Sequence, residues 1–459
     1  MSKAQPEIIQ PADQPDQGRT LELLESADAE RLAEYLEAMS LSDALREILN
    51  LSASERERVL ALLPVELAAS LIEEAPTEIA VELLENQETE RASLILRELS
   101  SDIQADIIGE FDQEHADAIL GEMSAREAAD LRRLAAYDDD TAGGLMISEV
   151  FTFSKKNTVG QVLKQFVDED SDFERYRGQH PYVLDSRKRP VGVVSLRSLL
   201  TAKRSAPLTE IMVKPMFVTV ETPLDDLRDI FDKHAFLGIP VVAQNGRLAG
   251  VVSRSAVDMA ALERAETESL KLQGVVGEEI RSMPLGIRSR RRLAWLSANI
   301  VLNIIAASVI SAYEQTLAAV IAIAVFLPMV SDMSGCSGNQ AVAVTMRELS
   351  LGLVKPVDAM RVWFKEASVG LINGAVLGIL IGVVAWGWKG NIYLGLVIGL
   401  ALCLNTIIAV SIGGIVPLLL RRFGQDPAVA SGPLLTTITD MAGFFLVLSL
   451  ASAFLPFLT

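Results

Sequence analysis

Five long apolar segments in the last third of the chain constrain its fold more than any other feature of the sequence. About 20 consecutive apolar residues span the ~30 Å hydrocarbon core of a bilayer, and most of these segments are of that type. A buried helix of a soluble protein could imitate one such segment, but hardly five in series. The segments are Ala294–Ala312, Leu317–Val330, Val369–Trp386, Ile392–Leu420 and Leu434–Phe457. The sequence therefore predicts a membrane domain with five helices over residues 281–459.

The second apolar segment is short and runs into Pro328 and a polar stretch that extends to Gln340. Proline and glycine interrupt membrane helices, and the freed backbone groups then need polar partners or a water-filled cavity. Broken helices at membrane depth are typical of ion pathways. We therefore expect a broken helix that resumes near Gln340, with a cytosolic turn as the alternative. The candidate pore residues of this stretch are Pro328, Asp332, Gly335, Gly338, Asn339 and Gln340.

One carboxylate lies well inside the last apolar segment. Placing Asp440 there costs about 2.5–3.5 kcal/mol on insertion scales, and the apolar segments contain no lysine or arginine to pair with it. Protonation, water or a cation could compensate the charge. We predict a cation site facing a wet pore, with a protonated structural aspartate as the alternative. Thr436 and Thr437 come one helical turn earlier and could contact a hydrated ion.

Basic residues between the apolar segments predict the orientation in the membrane, because loops rich in lysine and arginine stay in the cytosol. One side carries many of them, whereas the other carries only Lys389. The basic side has Arg281, Arg288, Arg290, Arg291, Arg292, Arg347, Lys355, Arg361, Lys365, Arg421 and Arg422. We therefore expect a cytosolic N-terminus and a C-terminus outside. Residues 1–18 are polar, lack the apolar core of a signal peptide and are expected to form a loose tail.

The N-terminal part of the chain is strongly acidic and repeats with a period of 12 residues. Residues 1–140 carry 34 acidic and 11 basic side chains, a net charge of −23. Most predicted repeats start with a residue suited to a helix start, and each has an aliphatic residue seven positions later. The starts are Ser52, Pro64, Pro76, Glu88, Ser100, Asp112 and Ser124. Helices this short need to stack to bury a shared core, so residues 19–140 are predicted to form an α-helical superhelical domain. Its charge argues against nucleic acid as a partner and is compatible with bound cations.

Residues 141–256 contain two copies of one α/β pattern. Pro181–Ser195 and Pro240–Ser253 each read as two short strands around a polar turn, and each ends in Gly-Val-Val-Ser. Asn245-Gly246 is a strong hairpin signal. Helical stretches are predicted before both hairpins. The pattern resembles a tandem CBS pair, a module that usually senses a small ligand.

Together these motifs resemble the MgtE family of magnesium channels over nearly the whole chain from about residue 20. The stretches that match are Tyr137–Gly143, Trp295-Leu296 with Asn299, Tyr313-Glu314, Lys365-Glu366 and Asp426–Gly443. The resemblance implies a homodimer with the pore on its two-fold axis, and Mg²⁺ as the ion. It implies that Asp440 holds hydrated Mg²⁺, that Asp426 lies at the cytosolic end of the pore, and that Asn339 and Gln340 end the broken-helix motif. It also implies a connecting (plug) helix, residues 257–280, that closes the pore when cytosolic domains sense Mg²⁺.

The sequence departs from the family pattern in the pore motif. Ser334-Gly335-Cys336 stands where the family usually has Gly-Gly-Asn. A thiol is a poor Mg²⁺ ligand, so Cys336 is expected to pack, and selectivity among Mg²⁺, Co²⁺, Mn²⁺ and Ni²⁺ stays open.

The CBS pair departs from its pattern too. Ser255 and Ala256 replace the paired acids that often follow the second CBS strand, which leaves the number of sensor sites open. Ser198 and Ala256 stand where adenosine-binding CBS motifs place aspartate, which argues against ATP binding there.

The predicted sensor rests on acids of the second CBS repeat and the connecting helix. They are Asp225, Asp226, Asp258, Glu263, Glu266 and Glu268. We expect these carboxylates to repel one another at low Mg²⁺ and to be bridged by ions at high Mg²⁺. Two unit charges 4 Å apart interact by about 4 kcal/mol at an effective dielectric of 20. A few bridged pairs would therefore supply the ~5.5 kcal/mol that near-complete switching needs.

The function expected from these features is a Mg²⁺-selective, Mg²⁺-gated channel for uptake across the inner cell membrane. The alternatives are a proton- or sodium-coupled transporter of divalent cations and a non-conducting Mg²⁺ sensor tethered to the bilayer. Enzymatic activity is not expected, since the three histidines, His115, His180 and His234, are scattered and no nucleophile–base set is visible.

Overall fold

The computed structural model describes residues 17–26, 28–167, 180–275, 279 and 283–458. The chain divides into two compact units, Met1–Arg264 and Ala265–Thr459. Most of the predicted tail, residues 1–18, lies outside the described residues, and the first helix begins at Gln17. Arg281 of the predicted basic side also lies outside them.

The first unit begins with ten short helices, the helical-repeat domain, in the part of the chain that the structure describes. They are α1 Gln17–Ser26, α2 Ala29–Glu37, α3 Leu41–Leu49, α4 Ala53–Leu62, α5 Val65–Glu74, α6 Thr77–Glu85, α7 Thr89–Glu98, α8 Ser101–Glu110, α9 Gln113–Gly121 and α10 Ala125–Leu134. All seven predicted repeat starts are helix N-caps. The aliphatic residues seven positions later are all buried. The helical domain predicted from the period is therefore confirmed.

The repeat also extends toward the N-terminus beyond the predicted units. Asp28 and Ser40 cap α2 and α3 with their side chains, 24 and 12 residues before Ser52. The seventh positions of these two units hold Tyr35 and Glu47 instead of aliphatic residues. Glu47 is nevertheless buried, and it accepts a hydrogen bond from the Thr20 hydroxyl at 3.2 Å. The hydroxyl thus compensates a carboxylate at a position where the other units bury Val, Leu or Ile.

The rest of the first unit contains two small sheets among the residues that the structure describes. The strands are β1 Met146–Ile147, β2 Thr152–Ser154, β3 Tyr182–Leu184, β4 Pro190–Val193, β5 Val218–Thr219, β6 Gly238–Val242 and β7 Leu248–Ser253. The helices are α11 Val159–Val167, α12 Leu196–Thr201, α13 Leu208–Ile211 and α14 Leu224–Lys233. The sheet orders are β1-β7-β6-β5 and β2-β3-β4, and both predicted hairpins, β3–β4 and β6–β7, pair antiparallel. Gly246 has φ of +74°, the left-handed conformation that glycine adopts after a type I turn in a bulged hairpin loop, and the register of β6–β7 shifts beside it.

Helix α15, Arg254–Leu272, covers most of the predicted connecting helix. The boundary between the two compact units falls within it, after Arg264. The helix ends at Leu272, before the predicted limit of the segment, and Gly274 has φ of +78°. Residues 276–278 and 280 of the predicted segment lie outside the described residues.

The second unit, from Ala265 onward, is helical where the structure describes it. Its helices after α15 are α16 Leu285–Ala312, α17 Glu314–Ala319, α18 Leu327–Ser350, α19 Ala359–Lys389, α20 Ile392–Arg422, α21 Pro427–Ala453 and α22 Leu455–Leu458, with 3₁₀ turns at Ile321–Val325 and Pro356–Asp358. Five helical segments of the described residues, based on α16, α18, α19, α20 and α21, are long and apolar enough to cross a membrane. The predicted five-helix membrane domain is confirmed.

The predicted break within the second membrane segment is wrong. Helix α18 runs without interruption from Leu327 through the polar stretch to Ser350, and the irregular backbone lies before it, at the 3₁₀ turn Ile321–Val325. Pro328 sits in the first turn of α18, where its missing N–H would have no helical partner. Gly335 and Gly338 lie within this helix, at positions where α18 packs against neighbouring helices. A Cβ on Gly338 would come 3.1 Å from the Ala409 carbonyl oxygen.

Candidate cation pathway

A groove of about 590 Å³ lies on the membrane domain beside α18 and α21. Its lining includes six of the predicted pore residues, which come from these two helices. They are Pro328, Asp332, Gly335, Asn339, Thr436 and Asp440. Asp332 and Asn339 are seven residues apart, two turns of α18, so they share one face. The groove therefore brings together two carboxylates, an amide and a hydroxyl, the oxygen donors that hard cations prefer.

Asp440 is held by a residue that the sequence reasoning missed. The Ser331 hydroxyl of α18 donates a hydrogen bond to Asp440 Oδ1 across the two helices. Ser331 also lines the groove, although most of the residue is buried. It precedes Asp440 by 109 residues, and a serine in an apolar helix carries no distinctive pattern. Only the packing of α18 against α21 identifies this contact.

Other predicted pore residues lie outside the lining of the groove. The Thr437 hydroxyl donates to the Pro433 carbonyl of its own helix at 2.8 Å. Gly338 faces Leu435 in the packed interior, and Gln340 is exposed but not part of the lining. Thr437, Gly338 and Gln340 are therefore not part of the groove lining.

Asp426 forms a capping hydrogen bond and an ion pair at the start of α21. Its carboxylate caps the helix by accepting from the Ala428 N–H at 2.9 Å. It also forms an ion pair with Lys271, in the last turn of α15, at 3.1 Å. The pair is partly exposed, so we take its own contribution to stability as about 0–1 kcal/mol. Asp426 therefore links the connecting helix to the first turn of α21.

The two departures from the family pore motif have different surroundings. Cys336 is exposed and lines the groove with Asp332 and Asn339. Ser334 is fully buried and donates to the Val330 carbonyl at 2.8 Å. A thiol therefore contacts the space where the ion is expected, which differs from the expectation that Cys336 packs, while Ser334 belongs to the interior of the helix bundle.

The predicted sensor acids are dispersed over both compact units. Asp225 lies 3.7 Å from Arg264, and Glu268 accepts a hydrogen bond from Ser350 at 3.3 Å. The others, Asp226, Asp258, Glu263 and Glu266, are exposed. Among the described residues, no three His, Cys, Asp or Glu side chains come together as a direct metal site.

Asp106 is an acid in the first unit that the sequence reasoning did not single out. Protein atoms crowd this residue of α8 although it keeps contact with solvent, and this desolvation, together with Asp139, Asp102, Glu263 and Glu110, raises the pKa of Asp106 to about 7. Burial and the neighbouring Asp138 and Asp140 also raise the pKa of Asp139. Carboxylates of the Tyr137–Gly143 stretch and of α15 therefore repel Asp106 of α8 here. At neutral pH a proton or a cation would relieve that repulsion.

Comparison with known proteins gives the family of each part of the chain. Residues 327–450 match the MgtE family described as a divalent cation transporter, and residues 42–140 match the MgtE intracellular N domain. Residues 142–205 and 208–263 match CBS domains. The magnesium transporter MgtE of Enterococcus faecalis is 30% identical over 334 residues, which cover 72% of this chain and 73% of the relative. The corresponding protein of Thermus thermophilus is 33% identical over 337 residues, again 72% and 73% of the two chains.

The chain belongs to the MgtE family. The predicted recognition, the helical N-terminal domain and the tandem CBS pair are thereby confirmed. The divalent cation transporter match includes both helices that carry the polar side of the groove. A crystal structure of the cytosolic domain of the Mg²⁺ channel MgtE in complex with ATP is also similar, at 29% identity. It covers 53% of this chain and 100% of that one, with a TM-score of 0.48.

Proposed function

We propose that this MgtE-family protein carries Mg²⁺ passively across the membrane through the groove that contains Asp440. The observation that carries the proposal is the meeting of Asp440 and Asp332 in one groove of a membrane domain. Carboxylates at membrane depth are costly unless they serve an ion, a proton or a wet cavity. The relatives named as magnesium transporters support Mg²⁺ as the ion.

The ion in this groove would keep much of its water shell. Mg²⁺ sheds water reluctantly and prefers octahedral oxygen ligands. Six waters occupy about 180 Å³ at ~30 Å³ each, and the groove has room for them with a volume of about 590 Å³. The oxygens of Asp440, Asp332 and Asn339 would then accept hydrogen bonds from water molecules of the hydrated ion, so selectivity would follow from charge and width. Thr436 would contact the same water shell.

A second copy of the chain would supply the opposite wall. One copy contributes the groove from one side, and a homodimer would place a second Asp440 across the ion. The basic loops support a cytosolic location of the N-terminus, with the C-terminus outside, in the inner cell membrane. Lipid would cover the exposed apolar faces of α16 and α19.

Gating is assigned to the acids of the first unit and of α15. Asp139 and Glu263 both repel Asp106, and Mg²⁺ bound beside Asp106 would remove that repulsion as a proton does. Asp225, Asp226, Asp258, Glu266 and Glu268 would act in the same way. The Lys271–Asp426 pair provides a connection from α15 to the first turn of α21, through which α15 would close the pathway.

The test is Mg²⁺ entry into proteoliposomes, followed with an enclosed dye, for the wild type, Asp440→Asn and the control Thr437→Val. Asp440→Asn keeps the size of the side chain and removes the charge, so we expect entry to fall more than tenfold. Thr437 lies outside the groove on the same helix, so Thr437→Val should conduct like the wild type. No entry in the wild type, or full entry in Asp440→Asn, would overturn the proposal.

The same vesicles separate passive flux from coupled transport. With proton and sodium gradients collapsed by ionophores, a passive pathway continues to admit Mg²⁺ down its own gradient. Entry that stops under these conditions would favour the coupled transporter instead.

A further inference from the structure

A buried hydrogen bond joins α20 to α21 at the residue before Asp440. Asn405 Nδ2 donates to the Thr439 carbonyl oxygen at 3.1 Å. Asn405 and Thr439 are both 0% exposed. The bond therefore ties the backbone of α21, at the position that carries Asp440, to a neighbouring membrane helix.

Gly443 makes room for this contact. A Cβ at Gly443 would lie 2.8 Å from Asn405 Nδ2 and 3.7 Å from the Cα of Ser331. Gly443 follows Asp440 by three residues, so it lies one turn along the same side of α21. The three helices α18, α20 and α21 thus meet around one glycine. Ser331 reaches the Asp440 carboxylate from α18, and Asn405 reaches its backbone from α20.

Only the N–H group of the Asn405 side-chain amide forms a hydrogen bond in the part of the chain that the structure describes. Its Oδ1 is buried and has no hydrogen-bond partner there. Leaving a buried acceptor unpaired disfavours folding, and an apolar side chain of similar size, such as leucine, would avoid that penalty. What the amide provides in return is its bond to the Thr439 carbonyl.

We propose that Asn405 is a positioning residue for Asp440 and so sets how tightly the pathway holds a divalent cation. This inference rests on the proposed function. Ser331 orients the carboxylate, and Asn405 fixes the height and rotation of α21 beneath it. Loss of either contact lets Asp440 move relative to Asp332 and Asn339 of α18, which weakens the site for the hydrated ion.

The experiment compares Asn405→Leu with the control Thr406→Val in proteoliposomes. Thr406 is also 0% exposed on α20, but its hydroxyl donates to the Leu402 carbonyl of its own helix at 2.8 Å. Loss of one neutral hydrogen bond, about 1 kcal/mol, corresponds to about a fivefold change in affinity. We therefore expect the Mg²⁺ concentration that gives half-maximal entry to rise about fivefold in Asn405→Leu, and the ratio of Mg²⁺ to Co²⁺ entry to change. Thr406→Val should leave both near the wild-type values.

A double-mutant cycle with Ser331→Ala separates positioning from general destabilisation. If both residues act on Asp440, the combined effect of Asn405→Leu and Ser331→Ala is smaller than the product of the single effects. Thr406→Val combined with Ser331→Ala should give the simple product. Multiplicative effects in the first pair, or an Asn405→Leu protein indistinguishable from Thr406→Val, would overturn the proposal.

Gly443→Ala tests the same contact if Asn405→Leu fails to fold. The added methyl group displaces the Asn405 amide, so half-maximal entry should again need more Mg²⁺, and a wild-type value would count against the proposal. Failure of the proposed function has a different signature. In that case the wild type admits no Mg²⁺, or Asp440→Asn conducts fully, whatever Asn405 does.

Discussion

The helical-repeat domain and the membrane domain are both built from helices, but their exposed faces have opposite character. Helices of nine or ten residues in the first bury aliphatic residues and expose acids. Helices of 24 to 31 residues in the second expose leucine, isoleucine and valine. Many of their buried side chains are polar: Ser331, Ser334, Ser337, Thr345, Asn405, Thr406 and Thr439. In the repeat, hydrophobic burial orders the fold, whereas in the membrane close backbone approach and hydrogen bonds do so.

The largest effect should come from filling a helix–helix contact of the membrane domain. A Cβ on Gly378 of α19 would lie 2.5 Å from the Gly399 carbonyl oxygen of α20. Gly378→Leu therefore forces the two helices apart, and overpacking of this kind costs at least about 1–3 kcal/mol. We expect the monodisperse fraction in detergent, measured by size-exclusion chromatography, to fall more than tenfold. Gly387→Leu on the same helix is the control, since nothing lies within 4 Å of its Cβ position, and equal behaviour of the two variants would contradict the packing argument.

A loss of stability of the same order is expected from the core of the helical repeat. Ile95 is 0% exposed, whereas its neighbour Leu94 is 44% exposed. Ile95→Ala should lower the free energy of unfolding by about 2–5 kcal/mol, and Leu94→Ala should change it by no more than about 0.5 kcal/mol. Pulse proteolysis of the full-length protein across a urea series, with cleavage mapped to α4–α10, measures both. Similar losses in the two variants would show that the stripe of every twelfth residue is not what holds the repeat together.

The smallest effect should come from the acidic surface, and its size depends on pH. The pKa of Asp106 is raised from 3.8 to about 7, so the folded state favours the proton-bound form. The carboxylate therefore opposes folding increasingly as pH rises from its unfolded pKa toward 7, and the effect levels off above that. Without Mg²⁺, Asp106→Asn should slow amide exchange in α8 relative to the wild type at pH 8. The difference between the two proteins should be much smaller at pH 5.5.

Hydrogen–deuterium exchange corrected for intrinsic rates measures this difference. Added Mg²⁺ should shrink it, because a bound cation replaces the missing proton. Glu114→Gln on the neighbouring helix α9 serves as the control. A difference for Asp106→Asn that grows toward low pH would contradict the account.

Local patterns in the sequence were enough to predict much of the fold. The period of 12 residues predicted seven N-caps, and hydropathy predicted five membrane helices. The two earlier repeats, capped by Asp28 and Ser40, were not predicted because Tyr35 and Glu47 occupy the position that is aliphatic in the other repeats. Burial of Glu47 depends on Thr20, a contact between residues 27 positions apart, and no local period contains it.

The candidate site was predictable only in part. Asp440 stands out because a charge in an apolar segment is costly wherever the segment packs. Ser331 and Asn405 do not stand out, since serine and asparagine in an apolar helix are informative only once their partners are known. Proline and glycine suggested a helix broken after Pro328 that resumes near Gln340, but glycine within α18 allows close packing instead, and proline is tolerated in its first turn.

The central claim is that the groove beside Asp440 is the path of the cation, and the native thiol at Cys336 tests it directly. Cys336 is exposed and lines the groove, while Cys403 is partly buried. We would treat proteoliposomes with a positively charged methanethiosulfonate reagent and measure Mg²⁺ entry. The account predicts that labelling of Cys336 blocks entry by its bulk and charge, and that Cys336→Ser resists the reagent. Complete labelling of Cys336 with unchanged Mg²⁺ entry would contradict it.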